Sequence, residues 1–169
     1  KDIVIIGAGP AGLSLACSLA ETNLEIIIVE NQPIKNIAVP AYDGREIALT
    51  HFSKKILKKI EIWDRFTTNK ISPIKEAKVF DGNSSYALHF DHRKISKDAL
   101  GYLVSNHVIR KALYDKVTTK PNIKIISSTS INPTNCFIFI SYPRCTICSS
   151  CTRCFNAKPI FIINFFYFR

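Results

Sequence analysis

Gly7, Gly9 and Gly12 stand in the stretch GAGPAG, between an apolar run and a helix-like run. In a G-x-G-x-x-G turn each glycine has its own task. Gly7 lets the chain turn sharply out of a strand, and Gly9 lets the backbone come close to a diphosphate with no Cβ in the way. Gly12 lets the following helix pack tightly on the strand. A helix starting near Ala11 leaves unpaired N–H groups and a partial positive charge, which attract a phosphate. Glu30 lies 18 residues after Gly12, at the end of the next apolar run. A carboxylate there accepts hydrogen bonds from ribose hydroxyls and repels a 2′-phosphate. The chemistry is therefore dinucleotide binding, and the pattern fits FAD and NAD equally. Lys1, the apolar stretch and ACSLA superficially resemble a secretory signal. Neither a signal nor an unrelated glycine turn accounts for the position of Glu30.

A second group of reactive residues lies near the end of the chain. Cys145, Cys148, Cys151 and Cys154 form a C-x₂-C-x₂-C-x₂-C run. Thiolates at that spacing can hold zinc or an iron–sulfur cluster. Metal-binding C-x₂-C units usually come as pairs separated by a loop, so no metal site is expected here. An out-of-frame ending with no selected structure is the favoured account. Cys17, alone on the first helix, reads as a small buried apolar residue. His51, His89, His92 and His107 have no ligand-like spacing and read as surface or structural residues. No residue stands out as a catalytic acid, base or nucleophile.

The elements that must position the glycine turn are legible around it. Ile3–Ile6 and Ile26–Val29 are short apolar, β-branched blocks, as expected of strands buried in a parallel sheet. The run from Ala11 to about Thr22 reads as the helix between them, completing a βαβ unit. NQPIKNIAVPAYDG reads as a loop ending near Gly44. In FSKKILKKIEIWD, residues Ile56, Leu57, Ile60 and Trp63 share a helical face, with lysines on a solvated face and Ser53 as the N-cap. AKVFDGNSSYALHFD predicts a β-hairpin around Asp81-Gly82-Asn83. SNHVIRKALYDKV predicts a second amphipathic helix, and NIKIIS a further strand. The order implies a parallel sheet with an inserted antiparallel piece.

The chain has 169 residues, enough for one domain of ordinary size, and a net charge of +10. That excess does not point to nucleic acid. All 13 acidic residues lie at or before Asp115, and seven of the 23 lysines and arginines follow it. The first part is nearly balanced and the tail supplies most of the charge. Five of six cysteines and seven of eleven phenylalanines also lie from Cys136 onward. The composition changes sharply near residue 130, which implies a partial domain over 1–128 and a Cys- and Phe-rich tail over 129–169 that forms no domain. The absence of Met is read as the mark of a trimmed or fragmentary sequence. PIFIINFFYF is too short to cross a bilayer.

Three separated blocks carry a family resemblance. They are DIVIIGAGPAGLSLACSLA with IIIVE, then DGREIALTHFSKKILKKIEIWD, then PIKEAKVFDG with ALGYLVSNHVIRKAL. Together they resemble the flavin-dependent aromatic hydroxylases of ubiquinone biosynthesis. The resemblance implies an α/β, Rossmann-like FAD-binding fold, truncated after about residue 128. It implies FAD at the turn, with Gly7, Gly9, Ala11 and Gly12 at the diphosphate and Glu30 at the adenosine ribose. By the same resemblance Arg45 is a cofactor-contacting cation and Asn106 a polar contact. A surface ion pair for Arg45 and a helix cap for Asn106 are the plainer alternatives. The implied reaction is hydroxylation of an aromatic quinone precursor by O₂, with NAD(P)H as reductant. The family's later ADG-type turn and Gly-Asp motif are absent, so the expectation is an incomplete enzyme, with a complementing chain as a variant of that reading. A cytoplasmic location with peripheral contact on the inner membrane is implied too. A non-catalytic NAD- or ADP-binding module, and a metal-binding or membrane-surface protein acting through the tail, are the competing classes.

Overall fold

Alternation of Ile, Val and Ile in the first apolar block sets the sheet from which the glycine turn emerges. The computed structural model describes residues 1–80, 82, 86–95, 98–130 and a strand at 161–164. It divides into two units, residues 1–40 with 113–169 and residues 41–112.

In the first unit β1 (Ile3–Ile6) leads through the glycine turn into α1 (Pro10–Leu19), and the chain returns as β2 (Ile26–Val29). The strands pair in parallel, with Ile3 opposite Ile26 and Ile6 opposite Val29. β8 (Ile123–Ile126) adds to the far side of β2, also in parallel. β9 (Phe161–Asn164) adds to the other side of β1, giving the order β8-β2-β1-β9. Ile5 and Ile28 have no solvent exposure, and Leu13, Ala16 and Cys17 of α1 are buried. The predicted strand–helix–strand unit is therefore present, with α1 starting one residue earlier and ending three earlier than the spacing implied. Cys17 is buried as expected, its thiol directed at the Leu113 carbonyl at 3.9 Å. β9 falls within the tail expected to form no domain. The rest of that tail beyond residue 130, with the five clustered cysteines, lies outside the described residues.

The predicted loop after Glu30 contains a short helix, α2 (Ile34–Ala38), entered from Pro33. Pro33 removes one backbone donor where a helix start does not need it, and Ile37 is fully buried beneath it.

In the second unit β3 (Glu46–Leu49), β4 (Ile71–Ile74) and β7 (Gly101–Ser105) form an antiparallel sheet in the order β3-β7-β4. β5 (Glu76–Phe80) and β6 (Ala87–Asp91) form the predicted hairpin, with Glu76 opposite Asp91. The inserted antiparallel piece is thus larger than a hairpin. α3 (His51–Lys59) is capped by Thr50, whose hydroxyl accepts from Ser53 N at 3.1 Å. The expected cap, Ser53, instead supplies the amide that Thr50 captures. Trp63 is buried in a separate 3₁₀ turn, while Ile56 is exposed. Lys54 departs from the solvated lysine face, lying 4.0 Å from the Tyr102 ring centre and 4.9 Å from that of Trp63. The second predicted helix is α4 (Asn106–Val117), with Ile109, Ala112, Leu113 and Val117 buried.

Candidate dinucleotide site

The sharp turn after β1 needs a backbone that side-chain-bearing residues rarely adopt. Gly7 has φ of +99°, the left-handed half of conformational space. Its amide donates to the Val29 carbonyl at 2.8 Å, which ties the turn to the end of β2. Gly12 is required for a different reason. A Cβ built there would lie 2.1 Å from the Gly7 carbonyl oxygen and 3.2 Å from Ile5 Cγ2. The first turn of α1 therefore rests directly on the end of β1, as the spacing predicted.

Gly9 caps α1 with φ −76° and ψ 178°, extended backbone that any residue adopts. Its own conformation does not demand glycine. Pro10 follows at the first helical position, where a missing N–H costs nothing. The amides of Ala11 and Gly12 lie in the first turn, where helix geometry provides no partner, and no side chain caps the helix from Gly9.

Glu30 meets this turn. One carboxylate oxygen accepts from Ala8 N at 2.7 Å and the other from Gln32 N at 3.0 Å. The Glu30 amide donates to Ile126 O at 2.9 Å, and its carbonyl accepts from Thr129 N at 3.0 Å. Two amides thus hold the carboxylate beside the glycine turn, and two further bonds tie the Glu30 backbone to Ile126 and Thr129. A carboxylate offers about four acceptor positions, so room remains for hydroxyl donors. Gly7, Gly9, Ala11, Gly12 and Glu30 are brought together in the first unit.

In the second unit Arg45 and Asn106 meet through Asp43, which the sequence reading did not single out. Arg45 Nε donates to Asp43 Oδ2 at 2.8 Å, and its backbone N donates to Oδ1 at 3.2 Å. Asn106 Nδ2 donates to the same Oδ2 at 2.7 Å, while its backbone N donates to Arg45 O at 2.9 Å. The spacing Asp-Gly-Arg was the available signal, because an aspartate often accepts from the amide two residues on. Asn106 is 1% exposed, and its Oδ1 has no partner. The same holds for His107 Nδ1, on the adjoining residue, and for Arg110 Nε, one turn further along α4. The ion-pair alternative for Arg45 is thus realised with Asp43, and Asn106 reaches into the same cluster.

The Arg45 guanidinium, with the Asn106 amide, holds the Asp43 carboxyl down at about 2. A carboxylate depressed in the folded state contributes its stability above its unfolded value, ~3.9, and loses it as pH falls through the folded one. The cluster is therefore expected to be intact at pH 5 and to release between about pH 4 and 2. The Asn106 side-chain amide protons report this directly by NMR, and Asp43→Asn should abolish the acid transition of those resonances.

His51 Nε2 lies 2.8 Å from Ala99 O, and His92 Nδ1 lies 3.0 Å from Lys75 O. These are structural contacts, as expected. Among the described residues no group of three or more His, Cys, Asp and Glu side chains is placed to hold a metal. No helix among them is long and apolar enough to cross a membrane.

A glycine turn at the end of the first parallel strand, with an acid at the end of the second, defines a dinucleotide-binding α/β protein. The model of the pyridine nucleotide-disulphide oxidoreductase family matches residues 1–121. The ubiquinone hydroxylase UbiM of Neisseria meningitidis is 46% identical over 135 residues, covering 78% of this chain and 29% of the relative. The mitochondrial ubiquinone biosynthesis monooxygenase COQ6 of Dictyostelium discoideum is 27% identical, covering 79% and 30%. Among solved structures, p-nitrophenol 4-monooxygenase PnpA of Pseudomonas putida superimposes with a TM-score of 0.59 at 16% identity. The match covers 76% of this chain and 32% of that one. The flavin-dependent monooxygenase PieE, solved with FAD and substrate, gives 0.55 at 15% identity, covering 75% and 23%. The likeness to these structures is one of fold. The chain belongs to the pyridine nucleotide-disulphide oxidoreductase family by that model, and to the FAD-dependent ubiquinone-biosynthesis hydroxylases by its relatives. It spans about 30% of the length of the curated relatives it matches, at their N-terminal end.

Proposed function

We propose that residues 1–128 are the ADP-binding part of an FAD-dependent monooxygenase that hydroxylates an aromatic ubiquinone precursor, with NAD(P)H as reductant. The observation that carries this reading is the Glu30 carboxylate fixed at Ala8 N, beside a helix start left clear by Gly9. The residues present fit the adenosine diphosphate half of FAD. The first-turn amides of Ala11 and Gly12 offer donors and a positive helix end to the diphosphate. Glu30 offers its remaining acceptor positions to the ribose hydroxyls. Its charge also disfavours a 2′-phosphate, so an ADP-type sugar is preferred over that of NADP. By the family resemblance Arg45 and Asn106 are proposed as further cofactor contacts; within their own unit both donate to Asp43.

When bound, FAD supplies the redox chemistry and the activation of O₂. This chain's residues supply binding and orientation. The segment matched in its relatives is under a third of their length. Residues 1–128 by themselves are proposed to bind nucleotide without hydroxylating.

Titration with FAD and with NAD under the same conditions tests the reading. FAD is expected to bind at least tenfold more tightly, and a preference for NAD would favour a non-catalytic dinucleotide module. Substrate-coupled oxygen consumption by the chain alone, with NADH and FAD added, would refute the incomplete-enzyme part of the proposal.

A further inference from the structure

The two edges of β1, the strand that carries the glycine turn, are served by different parts of the chain. On one edge Ile3 N donates to Glu25 O at 3.2 Å and Gly7 N to Val29 O at 2.8 Å. Successive residues of a paired strand direct their backbone groups alternately to its two neighbours. Val4 and Ile6 therefore direct theirs to the opposite edge. β9 lies along that edge, with Val4 opposite Ile162 and Ile6 opposite Asn164. The family model matches residues 1–121, so this strand comes from a segment that the match does not cover. Its sequence nevertheless has the pattern of its neighbours. Phe161, Ile162 and Ile163 are consecutive apolar residues, as in β1 and β2, the mark of a strand flanked in a parallel sheet. Residues 127–160 are long enough for the crossover that parallel pairing demands.

β9 gives the sheet a switch point. From β1 the chain passes to β2 and then to β8 on one side, and β9 lies on the other side of β1. In open parallel sheets ligands lie outside the carboxyl ends of the strands, where the strand order reverses. Here that point falls between β1 and β9. Asn164, the last residue of β9, is level with Ile6, the residue before Gly7. We propose that the tail segment Phe161–Asn164 is a working part of the dinucleotide site. It pairs the far edge of β1, so that the turn leaves a fixed strand, and its carboxyl end bounds the crevice that takes the diphosphate. The proposal rests on the reading of the turn as a nucleotide site. The contacting groups named above all lie within residues 1–128, and β9 positions them through β1. Without it, Val4 and Ile6 would have no strand partner on that edge among the described residues, beside Ile5, which has no solvent exposure.

Hydrogen exchange of the ¹⁵N-labelled full chain tests the pairing. The amides of Val4 and Ile6 are expected to be protected alongside those of Ile5 and Gly7. Ile163→Gly weakens the strand and should speed exchange at Val4 and Ile6 about tenfold or more, while Ile5 and Gly7 stay protected. Affinity for ADP in the same variant should fall about fivefold or more, because the turn is no longer preorganised. Ile163→Val should keep the parent affinity. A purely structural role would leave ADP affinity unchanged wherever Ile5 and Gly7 remain protected. If Ile163→Gly unfolds the unit, Ile163→Ala is read in the same way. Rapid exchange at Val4 and Ile6 in the parent chain would overturn the proposal. So would parent-like ADP affinity in a folded variant that has lost their protection. A parent chain that binds neither ADP nor FAD would sink the nucleotide reading and the site role with it, while the exchange pattern separately decides the pairing.

Discussion

Gly12→Ala is expected to destabilise the first unit by about 3 kcal/mol or more and to abolish nucleotide binding. The added Cβ would sit 2.1 Å from the Gly7 carbonyl oxygen. That neighbour is backbone, held by the tight turn and by the bond from Gly7 N to Val29 O. It cannot swing aside as a flexible side chain would. Relief requires the start of α1 to lift off β1, which disturbs the packing of Ile5 and Leu13, both without solvent exposure. Overpacking a well-filled site usually costs 1–3 kcal/mol, and a clash with fixed backbone lies at or above the upper end. Urea unfolding followed by circular dichroism measures the loss. An unchanged midpoint would mean that the helix does not rest on the strand end as described.

The second large effect concerns Glu30. Glu30→Ala is expected to weaken ADP or FAD binding about 10- to 100-fold. Hydrogen bonds to a charged group contribute about 1.5–3 kcal/mol, and 1.4 kcal/mol is a factor of ten. The substitution removes acceptors for the ribose hydroxyls and frees the Ala8 amide that the carboxylate now holds at 2.7 Å. Glu30→Gln keeps one acceptor oxygen and should fall between the two. Because the carboxylate no longer repels a 2′-phosphate, discrimination between NAD and NADP should narrow in both variants. Glu25→Gln is a suitable control, since Glu25 pairs with Lys1 at the surface at 3.0 Å. Calorimetric titration measures all three. Equal affinities for the parent and Glu30→Ala would remove Glu30 from the nucleotide site.

The parts of the fold read from sequence were those whose local pattern and tertiary role agree. Ile3–Ile6 and Ile26–Val29 are apolar on both sides because a parallel sheet buries both sides, so the blocks end where the strands end. The glycines announced their geometry through spacing alone. β3, β4 and β7 were missed because Glu46–Leu49, Ile71–Ile74 and Gly101–Ser105 carry Glu, Ser, Pro and Gly, and their pairing is non-local. Pro73 is tolerated in β4 because the strand is at the edge of its sheet. α2 was hidden by Pro33, read as a loop residue when it serves as a helix entry. Thr50 and Ser53 exchanged roles in the cap of α3, since both can accept and the turn geometry decides.

The candidate site divides in the same way. Glu30 could be placed from chain spacing because its position follows from one strand and one turn. Asp43 could not be weighed in that way. Its importance comes from joining Arg45 to Asn106, 63 residues away from it along the chain, and no local pattern carries that distance.

The central claim is that the turn after β1 grips the diphosphate of FAD through its own amides. An NMR titration of ¹⁵N-labelled chain with FAD tests it most directly. The account predicts saturable shifts at the amides of Gly9, Ala11 and Gly12 and at Gln32, whose N–H the Glu30 carboxylate holds. Shifts centred elsewhere, with these amides unmoved at saturating FAD, would contradict it.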